Sequence, residues 1–475
     1  MKSLLFPIVA IFIVMGAGAA LFLPAQASPE DARLRGAYRF DKGGWIYVHL
    51  EGSPEQIGFQ HGYLLAPEIA DAMETYKLRA THDTKRDWSF FRQAAREMLW
   101  PHIELEYQQE LQGIVEGLKA HGVKLEVDEV VALNAMEELA DYYVPWLDAQ
   151  QRSENPPKLA APGNCSAFIA TGSYTRDGKI VVAHNNWTSY LQGERWTVIF
   201  DIVPRKGERI FMDGFPGVIT SDDDFGVNAA GIVVTETTIT QFKGFDPKGK
   251  PEFVRSRKAM QYAKSIDDWV SIMRDGNNGG YANDWLVGDN KTGEIAQVEL
   301  GLKNTPVWRT KDGYFHGSNW ARDPKLIAEE TGFDAKNPRS SPNARRARWE
   351  QLIEGSKGKI DTAFAQTALA DHYDVIDKRE QANERTLCGH ADATSRGIPE
   401  WVWGPNYPGG AVQGKAMDSK MASALSFTAR AGHPCGADFQ VKDFLAEHPE
   451  YSWQASKLRD MKSGPWTLFT AGQKP

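Results

Sequence analysis

Cysteine is scarce in this chain, with three in 475 residues, and that scarcity bounds the chemistry. There is no C-x-x-C, no H-E-x-x-H, no G-x-S-x-G and no G-x-x-x-x-G-K-[ST]. Zincin, short-spacing structural zinc, α/β-hydrolase and P-loop readings therefore lack their signatures. A basic tract is missing too: the formal net charge is -8, which argues against a nucleic-acid footprint and leaves no nucleic-acid partner to expect. Internal repeats of solenoid length are absent. Beyond the amino terminus no long apolar run occurs.

What is present is an ordinary globular composition, 42% hydrophobic and 24% charged, enough to bury a large core. Met1-Lys2-Ser3, the apolar run Leu4 to Leu23 and the small residues before Ser28 read as a secretory signal spanning residues 1–27, cut after Ala27. The expected location is secreted or periplasmic. The alternative is an uncleaved single-pass anchor, and membrane contact through it. In an oxidising compartment Cys388 and Cys435, both in the irregular C-terminal region, are expected to form a disulfide. Cys165 is then the odd thiol, and an odd thiol in an exported chain is a candidate nucleophile.

Periodicity divides the chain. From Pro54 to about Glu138 apolar residues recur three and four apart, so residues 28–164 read as a mostly helical amino-terminal segment. Ser53 caps it and Pro54 takes the first helical position. Residues 156–163 form a linker with no period, followed by strand-like runs from Ser166, Ile180, Trp196, Arg209 and Ile232. A helix is expected over Ser256 to Asp275, then strands at Trp285 to Asp289 and Ile295 to Leu300, then helices at Arg345 to Ile353 and Thr362 to Ala370. The tail after Ala391, rich in Gly, Pro and Trp, is expected to wrap the surface, with a helix near Asp418 to Ala431. Blocks of strands and helices predict an α+β fold, a layered αββα arrangement of antiparallel sheets, with residues 165–475 as the catalytic domain.

Cys165 thus stands between a flexible linker and a strand, where strain can lead to cleavage of the Asn164–Cys165 bond. Cleavage would free an α-amino group with a pKa of about 7.7 to 8, a workable base for the thiol beside it. Attack on a carbonyl then needs oxyanion donors, for which Asn185, Asn283 and Asn319 are of the right type.

Several motifs carry a resemblance. Glu51-Gly52-Ser53-Pro54-Glu55-Gln56-Ile57-Gly58-Phe59-Gln60-His61-Gly62, Glu110-Leu111-Gln112-Gly113-Ile114 and Leu133-Asn134-Ala135 look like the pro-segment of isopenicillin N acyltransferase-like hydrolases. Cys165-Ser166-Ala167, His184 to Tyr190, Ser221 to Phe225, Glu236-Thr237-Thr238-Ile239 and Tyr281 to Trp285 look closer to phospholipase B-like proteins. Both belong to the N-terminal nucleophile superfamily. The resemblance implies a four-layer αββα sandwich of two antiparallel sheets, autocleavage between Asn164 and Cys165, two fragments that stay associated, and no cofactor. It implies attack by Cys165, with His184 lining the site, Thr237 on the strand opposite, Asn283 as oxyanion donor, and a late arginine on the substrate carboxylate, chosen as Arg346 with Arg345 and Arg348 equally eligible. The acyltransferase Gly-Arg-Asn-x-Asp pattern is replaced by Ala183-His184-Asn185-Asn186-Trp187, which weighs against a penicillin-type substrate. The expected function is an exported, self-processing cysteine hydrolase of linear amides. The alternatives are a phospholipase B-like esterase, or a non-catalytic secreted binding protein of the same fold.

Overall fold

The computed structural model describes residues 31–151, 165–222 and 225–475; the expected signal segment, the expected linker and Asn164 lie outside them. The molecule is a mixed α+β structure, and among the described residues no helix is long and apolar enough to cross a membrane. In chain order the strands are β1 (Tyr38–Lys42), β2 (Trp45–Gly52), β3 (Ser166–Thr171), β4 (Val181–Ser189), β5 (Val198–Pro204), β6 (Ile210–Gly214), β7 (Gly226–Asn228) and β8 (Ile232–Thr238). Then follow β9 (Asn283–Asp289), β10 (Glu294–Leu300), β11 (Val307–Thr310), β12 (Gly313–Gly317), β13 (Tyr373–Asp374), β14 (Arg379–Glu380), β15 (Gly409–Asp418), β16 (Ser426–Ala431) and β17 (Thr467–Thr470).

Two large sheets result. One has the order β1-β2-β5-β6-β7-β8-β9-β10-β11 and the other β12-β3-β4-β15-β16-β17. Alternation of side chains along each strand gives each sheet two apolar faces. Ala167, Ile169 and Val182 of the six-stranded sheet share one buried cluster with Val233, Leu286 and Ile295 of the nine-stranded sheet. Val234, Trp285 and Val298 instead join the helices of the amino-terminal segment through Ile69, Met73 and Leu133. Phe168, Val181 and Ala183 pack on Trp349, Ile353 and Leu369 from the helices Ser341–Gly355 and Thr362–Leu369.

The mostly helical amino-terminal segment also contributes β1 and β2 to one edge of the nine-stranded sheet. Other expectations are corrected. The sheets are not wholly antiparallel, because β2 pairs β5 in parallel, from Ile46↔Val198 to Gly52↔Pro204. The long, largely helical excursion between those strands gives the chain room for the crossover that parallel pairing requires. The tail after Ala391 does not only wrap the surface: β15 is an interior strand, and the helix expected near Asp418 to Ala431 is confined to Ser419–Ser423, with β16 following it. In addition, the helix expected over 256–275 is two, Glu252–Tyr262 and Ile266–Arg274, with Ser265 capping the second.

The glycines of the two amino-terminal helices have a steric basis. The helices Pro54–Leu64 and Leu105–His121 lie backbone to backbone. A Cβ on Gly58 would come within 1.9 Å of the Glu110 carbonyl oxygen, and one on Gly117 within 2.2 Å of that of Phe59. Only glycine permits that approach. The first of these helices starts with a reciprocal capping box, Ser53 with Gln56.

Candidate active site

Cys165 is 1% exposed and stands immediately before β3. Its φ is 119°, a region that L side chains rarely adopt. Backbone strain of this kind persists only where surrounding structure enforces it, and it clusters at functional sites. Arg345 holds this backbone: its Nη1 donates to the Cys165 carbonyl oxygen at 2.6 Å and to Ser166 Oγ at 2.9 Å.

Arg345 is entirely buried. Its Nη2 donates to Asn319 Oδ1 at 2.8 Å, its Nε donates to Ser341 Oγ at 3.1 Å, and the guanidinium lies 4.3 Å from the Trp187 ring centroid. Burial pulls its pKa down to about 9, so it remains a cation at neutral pH. Asn319 in turn is at φ 68° and donates its backbone N–H to Thr237 Oγ1 and its Nδ2 to the Thr238 carbonyl. Arg346, expected at the site, is instead turned outward, paired with Glu350 at 3.1 Å and laid on Trp320. The helix phase decides between the two: Arg345 falls on the buried stripe with Ser341, Trp349 and Ile353.

The thiol faces β8. Cys165 Sγ lies 3.6 Å from Glu236 Oε1, and the donor atoms of Cys165, Glu236 and His184 all fall within 4.8 Å of one another. His184 is opposite Ala167 across β3–β4 and opposite Lys415 across β4–β15. Burial, and then the Lys415 charge, hold the imidazole well below its ordinary pKa. It is therefore a neutral polar neighbour of the thiol. Lys415 Nζ pairs with Asp213 Oδ2 at 2.7 Å, both side chains fully buried, and Ser221 Oγ donates to the other Asp213 oxygen at 2.9 Å.

The three asparagines divide by their hydrogen bonds. Asn185 spends its amide on the carbonyls of Leu369 and Leu387, and Asn319 on Thr238, so both brace the backbone. Asn283 is buried at the start of β9, in register with Thr238, with Thr237 one residue away. Beside it Tyr281 accepts a hydrogen bond from Thr238 Oγ1 at 3.0 Å. Burial, then the nearby Glu236 and Cys165 charges, raise its phenol pKa well above 10, so it keeps its proton. Glu236 and Tyr281 are the site groups to which sequence reasoning gave no role, and Arg345 is the alternative to Arg346 that the structure brings to the site.

Cys388 and Cys435 are free thiols and not a closed disulfide, and they lie beside His372 and His390.

Comparison with known proteins places these observations. Residues 67–308, just over half of the chain, match the family described as Phospholipase B. A human protein named phospholipase B-like 1 is 23% identical over 79% of this chain and 74% of its own length. A Caenorhabditis elegans protein with a provisional phospholipase B-like name is 25% identical over 65% of this chain, a match spanning 58% of that relative. An uncharacterized protein of Archaeoglobus fulgidus is 24% identical over 61% of this chain and 48% of its own length. The matched family segment contains the thiol, His184, Glu236 and Asn283, and the chain belongs to the phospholipase B-like family.

Proposed function

We propose that this protein is a self-processing N-terminal nucleophile hydrolase that cleaves an acyl bond of a lipid through a thioester on Cys165. The observation that carries the reading is the strained Cys165 at the head of β3, its thiol 3.6 Å from Glu236 and its carbonyl held by Arg345. The stacking of helices, nine-stranded sheet, six-stranded sheet and helices supports the four-layer sandwich of that superfamily. Family membership favours the phospholipase B-like alternative over the amidase reading.

In the uncut chain Glu236 takes the thiol proton. The thiolate adds to the Asn164 carbonyl, the C–N bond breaks with the proton passing to the departing amine, and an Asn164 thioester on Cys165 results. Water hydrolyses it, leaving a carboxylate on Asn164 and a free α-amine on Cys165. That amine then serves as base in each turnover: the thiolate adds to the substrate acyl carbon, the alcohol leaves with a proton, and water releases the fatty acid. Asn283 and the Tyr281 phenol supply hydrogen-bond donors for the oxyanion. Arg345 is a positioning residue, acting through the Cys165 carbonyl.

The test is release of fatty acid from a phosphatidylcholine panel beside release from N-acyl amides, using processed protein and Cys165→Ala. Thiol-dependent release from phospholipid supports the reading. Release from amides alone returns the amidase, and no release from either by fully processed protein overturns acyl hydrolysis.

A further inference from the structure

Far from the Cys165 thiol in its chemistry, but joined to it through the core, lies a second cluster. We propose that His372, Cys388, His390 and Cys435 form a structural Zn2+ site of Cys2His2 type. These four residues each offer a donor atom, and all four atoms lie within 4.8 Å of one another. His390 Nε2 is 3.6 Å from Cys388 Sγ and also 3.6 Å from Cys435 Sγ. Zinc bound at about 2.3 Å to sulfur and about 2.0–2.1 Å to nitrogen, at tetrahedral angles, sets sulfur and nitrogen about 3.6 Å apart. The two sulfur–nitrogen edges at His390 already have that length. The remaining donors need only a modest inward shift, and His372 Nε2 is sealed from solvent without a hydrogen-bond partner.

The surroundings suit a metal. Ala437 N donates to Cys435 Sγ at 3.5 Å, the kind of N–H···S contact that stabilises a thiolate ligand. Asp392 Oδ1, held by Tyr190 OH at 2.6 Å, stands 3.9 Å from His390 Nδ1, near the ring nitrogen that faces away from the sulfurs but beyond hydrogen-bond distance. A cleft of about 590 Å³ has His372 and Cys435 in its wall together with Asp371, Glu380 and Arg430, and gives the ion a route in. Binding would release the two thiol protons to solvent, and the neutral ZnCys2His2 centre leaves no open position for substrate. The role is therefore structural.

That role bears on the active site. Leu387, next to Cys388, accepts hydrogen bonds at its carbonyl from Asn185 Nδ2 and Trp187 Nε1. Trp187 carries Arg345 on its face, and Arg345 holds Cys165. The ion would tie the segments at 372, 388–390 and 435 into one wall behind the nucleophile. The competing fate of the same sulfurs is a Cys388–Cys435 disulfide, which the experiment separates.

The full chain, purified without a polyhistidine tag or chelators, is analysed for metal by mass spectrometry. Free thiols are counted after denaturation with chelator. The proposal expects one zinc per chain, three thiols, loss of zinc in Cys435→Ser and retention in Cys165→Ala. Exchange of wild-type protein into Co2+ should produce the intense visible bands of tetrahedral, thiolate-ligated cobalt, a readout that does not depend on any variant folding. A chain lighter by two hydrogens with one thiol and no zinc would establish the disulfide and overturn the site. So would three free thiols that bind neither added Zn2+ nor added Co2+, or a Cys435→Ser variant that keeps its zinc.

Discussion

Replacing Arg345 by Met, beside the same change at Arg346, separates a residue that holds the nucleophile from its neighbour on the surface. Arg345→Met removes four buried hydrogen bonds, to the Cys165 carbonyl, Ser166, Asn319 and Ser341. Each acceptor left unsatisfied away from water costs about 1–3 kcal/mol. The gain from no longer burying a cation offsets several kcal/mol of the sum. A net loss of about 3 kcal/mol is the expectation, measured by urea unfolding in a Cys165→Ala background so that no cleavage intervenes. Arg346→Met removes one partly exposed pair four residues along a helix, worth about 0.3–0.5 kcal/mol, and a cation–π contact on Trp320 worth about 0.5–1 kcal/mol. Self-cleavage should diverge more sharply. With its carbonyl released, Cys165 is free to shift, and displacement of about 1 Å is enough for a hundredfold loss of rate. The assay is the decay of precursor on a gel after cell-free synthesis. Equal cleavage rates and equal stabilities for the two variants would refute the positioning argument.

Further outcomes follow from other parts of the site. Glu236→Gln, which removes the proton acceptor 3.6 Å from the thiol, should slow self-cleavage by about 10²-fold or more while leaving the fold intact by circular dichroism. Lys415→Met strands the buried Asp213 carboxylate and should cost about 3–5 kcal/mol in urea unfolding, and adding Asp213→Leu should recover part of it. His61, whose Nε2 accepts the Gly217 N–H at 3.0 Å, is held down at about 3 by burial and then by the Arg257 charge. A folded value below the unfolded one means that the unfolded chain binds the extra proton. The His61 contribution is therefore complete above about pH 6.5 and is lost as pH falls toward 3. The stability advantage of wild type over His61→Gln should shrink by up to about 1.4 kcal/mol per pH unit in that window, as read from unfolding at pH 7, 6 and 5.

The sequence was most legible where one physical rule acts alone. Alternation placed β8, β9 and β10 within a few residues, and Ser53-Pro54 marked a helix start that the capping box confirms. The position of Cys165 between linker and strand singled it out, and the family match covers it. Reading failed where tertiary context overrode local texture. The glycine-rich stretch Gly409–Asp418 looks like loop, yet it forms an interior strand whose missing side chains leave room for neighbours: a Cβ on Gly410 would come within 2.1 Å of the Gly389 carbonyl oxygen. Arg345 was within reach, since Ser341, Arg345, Trp349 and Ile353 are spaced four apart and the last two are apolar. Arginine was instead weighed as a residue type, without its helical phase. The cluster at Cys388 was out of reach of any short motif, because His372, Cys388, His390 and Cys435 meet only through the folding of the tail.

The most direct test of the account is the intact mass of purified wild-type chain beside Cys165→Ala, with amino-terminal sequencing of the larger fragment. The account predicts two wild-type fragments, the larger beginning at Cys165, and an uncut variant. A wild-type chain that stays whole at neutral pH under reducing conditions, or a Cys165→Ala chain cut at the same bond, would contradict it.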